Sequence, residues 1–402
     1  MKEKRNALYW MVVLAGCGLI GTCLGLGTNV AGLFFTPVAN EFSVGRGSVA
    51  ATLTVYNLVH AFTGMAAPRL VLKNGLKKMV YIGTALQAAA TLMLAFCPNV
   101  PAMLVMNAVR GLAAGLIGTV TVTIMINYWF NQKKALMTSI AMGFSGIVSA
   151  VLSPILSGLI ASAGWRTGYM ALAAVVLLFH LPALLLPITL KPAEKGMVPY
   201  GSEAEKNTAA GTVKTSDETI SWSMFFVLLV YTACAAGCTA LPQHFAGISE
   251  SYGLAAAGAF MVSACMIVNT AGKIVLGSLI DRIGAKPAVT IYALIIAGGA
   301  ALLVTGRSAG ILIGASAMYG LCYSMGTVGI AMLAREMFPA SQYGRVYPKL
   351  ALGTTVSNAV FNILIGMLYD LNGSYTLIIC LLGCMILVSL LMAHMAYRMK
   401  QA

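Results

Sequence analysis

Three cationic side chains stand inside otherwise apolar runs of this sequence: Arg110 in AVRGLAAG, Lys273 in NTAGKIVLG and Lys349 in YPKLALG. A cation at the centre of hydrocarbon costs about 2.5–3.5 kcal/mol on insertion scales, so each must face a wet cavity or a partner. All eleven Asp and Glu lie outside the apolar runs or at their ends. A protein carboxylate is therefore poorly placed to neutralise them, and the missing negative charge points to an anionic guest. The chemistry expected is binding, with Lys273 and Lys349 as flexible point charges and Arg110 as a third contact. Each has a structural alternative. Lys273 could pack against backbone carbonyls, Lys349 could snorkel to the interface, and Arg110 could pin its helix to a neighbour.

Other polar residues recur at i, i+4 and so share helix faces: Tyr56 with His60, Asn269 with Lys273, and Tyr319 with Tyr323. Phenol hydroxyls can donate to a carboxylate while their rings wall off an apolar tail, or the rings can simply pack. His60 could titrate or donate a hydrogen bond. His244 and Asn29 are weaker candidates, and His180 and His394 read as facing lipid or an interface.

The elements that position these residues follow from composition. The chain of 402 residues is 59% apolar and only 9% charged, against about 25% charged in soluble domains. Long apolar runs recur from end to end, as in a polytopic membrane protein. Open strand edges have no partners in lipid, so the spans are helices. Hydropathy places them at roughly 9–35, 49–67, 79–96, 102–130, 135–163, 168–190, 223–248, 254–280, 289–304, 311–332, 347–369 and 377–397. The first run follows MKEKR but is too long for a signal peptide, and it is expected to persist as a helix. The fold class is thus all-α, with twelve spans in two six-helix bundles. Residues 1–190 form the first bundle, 191–221 a polar linker and 222–402 the second.

Of the 25 Lys and Arg, 19 fall in one set of alternate loops and three, Arg46, Arg166 and Arg307, in the other. The positive-inside rule then puts both termini in the cytoplasm. This distribution, with no RNP, zinc-finger or basic-helix motif, speaks against nucleic acid despite the net charge of +14. The nine cysteines contain no C-x-x-C pair and read as small core residues. No Walker loop, H-E-x-x-H or G-x-S-x-G is present, so ATP drive, a cofactor, a metal centre and enzymatic chemistry are not expected.

The halves repeat at a shift of 209 residues: KNGLKK (Lys73–Lys78) falls on RIGAKP (Arg282–Pro287), AVRGLAAG (Ala108–Gly115) on AMYGLCYS (Ala317–Ser324), and Gly164 on Gly373. Two six-helix repeats joined by a polar loop suit a transporter whose halves rock around a central site.

The stretch GSLIDRIGAK (Gly277–Lys286) resembles the G-x-x-x-D-R-x-G-x-[RK] loop of the major facilitator superfamily, with Asp281, Arg282 and Gly284 as its conformational residues. The matching first-half loop, PRLVLKNGLKK, has Leu72 where the aspartate would be. SPILSG (Ser153–Gly158) is similar to a helix-5 proline–glycine motif, with Ser157 for a glycine. Within the superfamily the chain resembles the oxalate/formate antiporters and monocarboxylate porters. Lys273, eight residues before Asp281, holds the place of their helix-8 arginine. Lys349 follows Tyr343-Gly344 near their helix-11 lysine, and Tyr319 and Tyr323 match their helix-10 aromatics. Arg110 is an addition to that pattern.

The resemblance implies alternating-access transport of small mono- or dicarboxylates, with exchange favoured by the absence of a buried acid to carry protons. Proton-coupled monocarboxylate symport is the alternative. An anion-binding sensor on a transporter scaffold is the reading from another class. The partners expected are a small carboxylate, protons in the symport case, and the bilayer. The protein is expected as a monomer, multi-pass in a bacterial inner membrane.

Overall fold

The computed structural model describes residues 2–202 and 221–401, except for some side chains within them, including those of Asp281, Tyr343 and Arg345. Residues 203–220 of the expected linker lie outside the described residues. The chain is all-α, with ten helical stretches long and apolar enough to cross a membrane. One of these holds two spans, and a shorter helix supplies the remaining one, giving the twelve spans of two six-helix bundles.

The first span is α1 (Lys2–Ile20), a π-helical turn Gly21–Asn29, a 3-10 turn Ala31–Phe34 and α2 (Phe35–Phe42). It is followed by α3 (Arg46–Asn74) and α4 (Leu76–Leu94). The fourth span is α5 (Val100–Ile117) and α6 (Thr119–Trp129), broken at Gly118. Helix α7 (Lys134–Leu185) is two spans joined at Gly164, whose backbone is non-helical. The seventh span is α8 (Trp222–Cys238), a 3-10 turn Leu241–His244 and α9 (Phe245–Ser251). Then come α10 (Ala257–Ile283) and α11 (Ala285–Thr305). The tenth span comprises α12 (Ala309–Tyr319), α13 (Cys322–Ser324), a π-helical turn Met325–Gly329 and α14 (Ile330–Met337). Helices α15 (Ala340–Asn372) and α16 (Thr376–Gln401) complete the chain.

The punctuation of the two halves matches. Gly75 and Gly284, 209 residues apart, have φ of 84° and 86°; Gly164 and Gly373, at the same offset, have 82° and 65°. Such backbone is costly for any residue with a β-carbon, so these glycines end one helix and start the next. Asn99 and Ser308, again 209 apart, cap α5 and α12 by accepting from Ala102 N and Ile311 N. The same cap at the same register marks the same helix start.

The described residues divide into two units, one drawn from Met1–Phe42 and Ala51–Ala210, the other from Ser43–Ala50 and Gly211–Ala402. In the first unit, α1 and α7 pack closely. A β-carbon at Gly18 would overlap the Phe179 carbonyl oxygen, and one at Gly25 would come within 2.9 Å of Ser145 O. His180, expected at lipid or an interface, is instead fully buried. Its ring nitrogens meet Thr22 Oγ1 at 2.6 Å and Thr84 Oγ1 at 2.8 Å, because a buried imidazole needs partners for both. The segment after α7 is also docked. Trp129 Nε1 donates to Thr189 O at 2.8 Å, Tyr9 OH to Val198 O at 2.6 Å and Tyr200 N to Trp129 O at 2.8 Å.

In the second unit, the start of α3 is capped by Asp370, which accepts from Arg46 N and Gly47 N at 3.0 Å. The Arg46 guanidinium donates to Tyr375 OH and Glu250 Oε2, each at 3.0 Å, and lies over the Tyr369 ring. The acid 209 residues before Glu250, Glu41, pairs in the first unit with Arg166. The place of Arg166 in the second repeat is held by Tyr375, so Glu250 takes its arginine from residue 46.

Candidate functional site

The seventh span breaks because of one residue. In a continuous helix the Cys238 carbonyl would accept from residue 242, and residue 242 is a proline with no N–H. Tyr319 OH supplies the lost donor, 3.1 Å from Cys238 O, with Cys322 Sγ at 3.9 Å. The buried Tyr319 thus holds α12 to the break, and the turn after Pro242 carries Gln243 and His244 inward. His244 Nε2 lies 3.2 Å from Asn362 O on α15, and Asn358 Nδ2 donates to Thr239 Oγ1 at 2.8 Å.

Helix α10 brings the central cation to this junction. Asn269 and Lys273 sit one turn apart on one face. Gly272 lets the turn at 320–324 approach, since a β-carbon there would come within 2.6 Å of Leu321 Cδ2 and 3.0 Å of Ser324 Oγ. Tyr292 OH on α11 donates to Gly272 O at 2.8 Å and fixes the helix from behind. Lys273 is half-buried. Among the described residues the ion pairs are Arg46–Glu250 and Arg166–Glu41, so no described carboxylate neutralises it.

In the second unit several polar groups are unspent. Gln243 Oε1, Asn269 Oδ1, Tyr323 OH, Ser324 Oγ and Asn362 Oδ1 are buried without a hydrogen-bond partner. Buried polar atoms in folded proteins are nearly always paired, so such a group needs a reason.

The candidates of the first unit are arranged otherwise. Arg110 is buried, with Nε donating to Thr91 Oγ1 at 3.1 Å and Nη1 to Asn107 Oδ1 at 2.8 Å, and its guanidinium lies 5.3 Å from the Tyr56 ring centre. Tyr56 OH donates to Cys23 O at 2.6 Å, inside the π-helical turn. Asn29 Nδ2 donates to Ser149 Oγ at 3.0 Å. His60 is half-buried, its ring centre 5.9 Å from that of Tyr56. These groups are largely satisfied by protein.

Lys349 is exposed, and its ammonium lies 5.8 Å from the ring of Trp222, the first residue of α8. The structure therefore sets Asn269 and Lys273 one turn apart on α10, ties Tyr319 to the break at Cys238, and sets Lys349 at the start of the seventh span. In the loop after α10, Gly284 makes the turn and Arg282 is exposed; the Asp281 side chain lies outside the described residues. Among the described residues no His/Cys/Asp/Glu group could hold a metal. Gln243, Ser324, Asn358 and Asn362 were not singled out from sequence. The readable signal was Pro242 inside an apolar run, which marks a break and turns neighbouring polar residues toward the interior.

The profile of the Major Facilitator Superfamily matches residues 17–347 and 224–401. The chain belongs to this superfamily. Among curated relatives, monocarboxylate transporter 12 of rat is 27% identical, with 98% of this chain and 86% of that protein covered. The human protein of that name is 28% identical over 68% of this chain. The chain spans 57% of the human relative's length. Two solved structures show the same fold. A nucleoside transporter superposes with a TM-score of 0.73 at 14% identity, covering 97% of this chain and all of its own. A bacterial homologue of the lysosomal transporter Spinster, in an inward-facing and occupied conformation, gives 0.71 at 12% identity, covering 99% and 97%. As a superfamily member, the chain is a multi-pass membrane protein.

Proposed function

We propose that the protein moves small organic anions, mono- or dicarboxylates, by alternating access, and that it works as an exchanger. The observation that carries this is Lys273, a half-buried cation without a described counter-ion, one helical turn from the unpaired Asn269 Oδ1. The relatives named as monocarboxylate transporters support the carboxylate as substrate class. Residues 1–190 and 222–402 are the two working halves, and 191–221 the connection. The protein acts as a monomer in a bacterial inner membrane with both termini cytoplasmic, in keeping with the loop cations.

Proton-coupled symport is the second reading. The half-buried His60, beside Tyr56, is the group in the first unit that could take a proton. Counterflow in proteoliposomes separates the two. Exchange predicts that labelled carboxylate uptake needs an internal anion and ignores a protonophore. Uptake indifferent to internal anion and abolished by the protonophore overturns exchange.

Lys349 remains a proposed contact for a second carboxylate. Lys349→Ala is expected to lower dicarboxylate uptake more than monocarboxylate uptake, by roughly 3-fold or more, the scale of a partly screened charge. Equal losses for the two substrate types would remove it from the site.

A further inference from the structure

We propose that the cation-rich end of the first unit holds one anionic phospholipid, with part of an acyl chain in an apolar cavity and the phosphate among Arg69, Lys73 and Lys191. The cavity, about 180 Å³, opens where α3, α6 and the segment after α7 meet; Pro68 and Leu72 of α3, Ile124 and Tyr128 of α6, and Leu190 form its walls. Thr121 also lines it, but its hydroxyl is spent on Leu116 O at 2.6 Å. The wall at Leu190 is held by Trp129 Nε1, which donates to Thr189 O one residue earlier. Cations stand beside this lining. Arg69 follows Pro68, Lys73 follows Leu72, and the Lys191 ammonium lies 5.3 Å from the centre of the Tyr128 ring. All three are exposed. Glu194 Oε1 accepts from the Lys191 backbone N–H at 3.0 Å, and among the described residues none of the three cations is in an ion pair.

The repeat gives the reason that this charge is uncompensated. At the shift of 209 residues Leu72 falls on Asp281 and Asn127 on Glu336. The second half thus has two acids where the first has an apolar and a neutral residue. Glu336 is engaged within its own unit by the Tyr397 hydroxyl. The first half lacks both acids and keeps the basic loop KNGLKK. A carboxylate at residue 72 would repel a phosphate and would not tolerate a hydrocarbon chain against it. Leucine there, 55% exposed, welcomes the chain and leaves the cations to the phosphate. An apolar wall beside three unpaired cations fits a molecule that is apolar at one end and anionic at the other. Chain burial and headgroup attraction then add, as they do for other two-signal membrane contacts. Juxtamembrane Lys and Arg clusters draw anionic headgroups in this way.

The test titrates dioleoyl phosphatidylglycerol, dioleoyl phosphatidylcholine and glycerol 3-phosphate into the purified protein in detergent and follows its unfolding temperature. A ligand of the folded state stabilises by mass action. Phosphatidylglycerol is expected to raise the unfolding temperature, and the other two to leave it unchanged. Leu72→Asp and Lys191→Gln should each weaken the apparent affinity for phosphatidylglycerol roughly fivefold or more, the scale of one cation at an anionic lipid surface. Both side chains are exposed, so both variants should fold, and either alone decides the outcome. Arg398→Gln, which removes an exposed cation of α16 in the second unit, should leave the affinity unchanged. Equal stabilisation by phosphatidylcholine takes the charge out of the site, and equal stabilisation by glycerol 3-phosphate takes the chain out; either overturns the proposal. An affinity unchanged by Leu72→Asp and Lys191→Gln, or lowered as much by Arg398→Gln, shows diffuse attraction to the surface and also overturns it. None of these outcomes depends on which solute is transported.

Discussion

Lys273→Ala is expected to abolish carboxylate exchange and still be recovered from the membrane as a folded protein. Transport fails because the anion loses its buried counter-charge. Truncating one member of a buried, hydrogen-bonded charge pair costs about 2–5 kcal/mol, so substrate affinity should fall at least roughly 30-fold. Folding survives because Lys273 has no ion pair with a described carboxylate to lose, and removing a cation from hydrocarbon relieves a cost. Lys273→Arg should keep partial activity and favour planar carboxylates, which a guanidinium fork grips with two parallel bonds. Counterflow on each variant, beside its thermal unfolding curve, is the measurement. Full wild-type flux in Lys273→Ala would remove the central assignment.

Gly18→Ala is expected to cost the first unit its packing. The added methyl would overlap the Phe179 carbonyl oxygen, and a backbone atom cannot rotate aside. Helices α1 and α7 must separate, and overpacking of this kind costs about 1–3 kcal/mol, occasionally more. The neighbouring residue raises the stakes. His180 bridges Thr22 and Thr84, and a shift of α7 at Phe179 pulls on both bonds, exposing buried polar groups that cost about 1–3 kcal/mol each if unpaired. The variant should show a lower unfolding temperature in detergent and a smaller monodisperse fraction on size exclusion. An unfolding temperature equal to that of the wild type would show that the contact yields without cost.

The fold was legible because lipid leaves few choices. Apolar runs had to be helices, and the 209-residue repeat was visible in loop chemistry before any backbone angle was known. The positive φ at Gly75 and Gly284 is the physical content of the KNGLKK and RIGAKP match. Less legible was what each buried polar residue faces. Hydropathy treated residues 223–248 as one helix, although Pro242 divides it, so Gln243 passed unnoticed beside His244. His180 read as facing lipid or an interface because a one-dimensional profile cannot see the two threonines, 158 and 96 residues away in sequence, that meet its ring. Tyr319 and Tyr323 looked alike at i, i+4. Their hydroxyls differ in that one tops up a carbonyl stranded by a proline and the other lies beside the Gln243 side chain. That distinction depends on three-dimensional neighbours rather than on spacing.

Register-matched glycines, caps and outer acids describe a tandem duplication whose copies have since specialised. In the earlier copy an arginine, an asparagine and a tyrosine are locked into the protein's own wiring. In the later copy Tyr319, the counterpart of Arg110, is also bonded, yet unpaired atoms are more numerous. Five of the six buried orphan atoms among the described residues fall there. Under the proposed function, the first half serves chiefly as framework and the second as the surface that meets the anion.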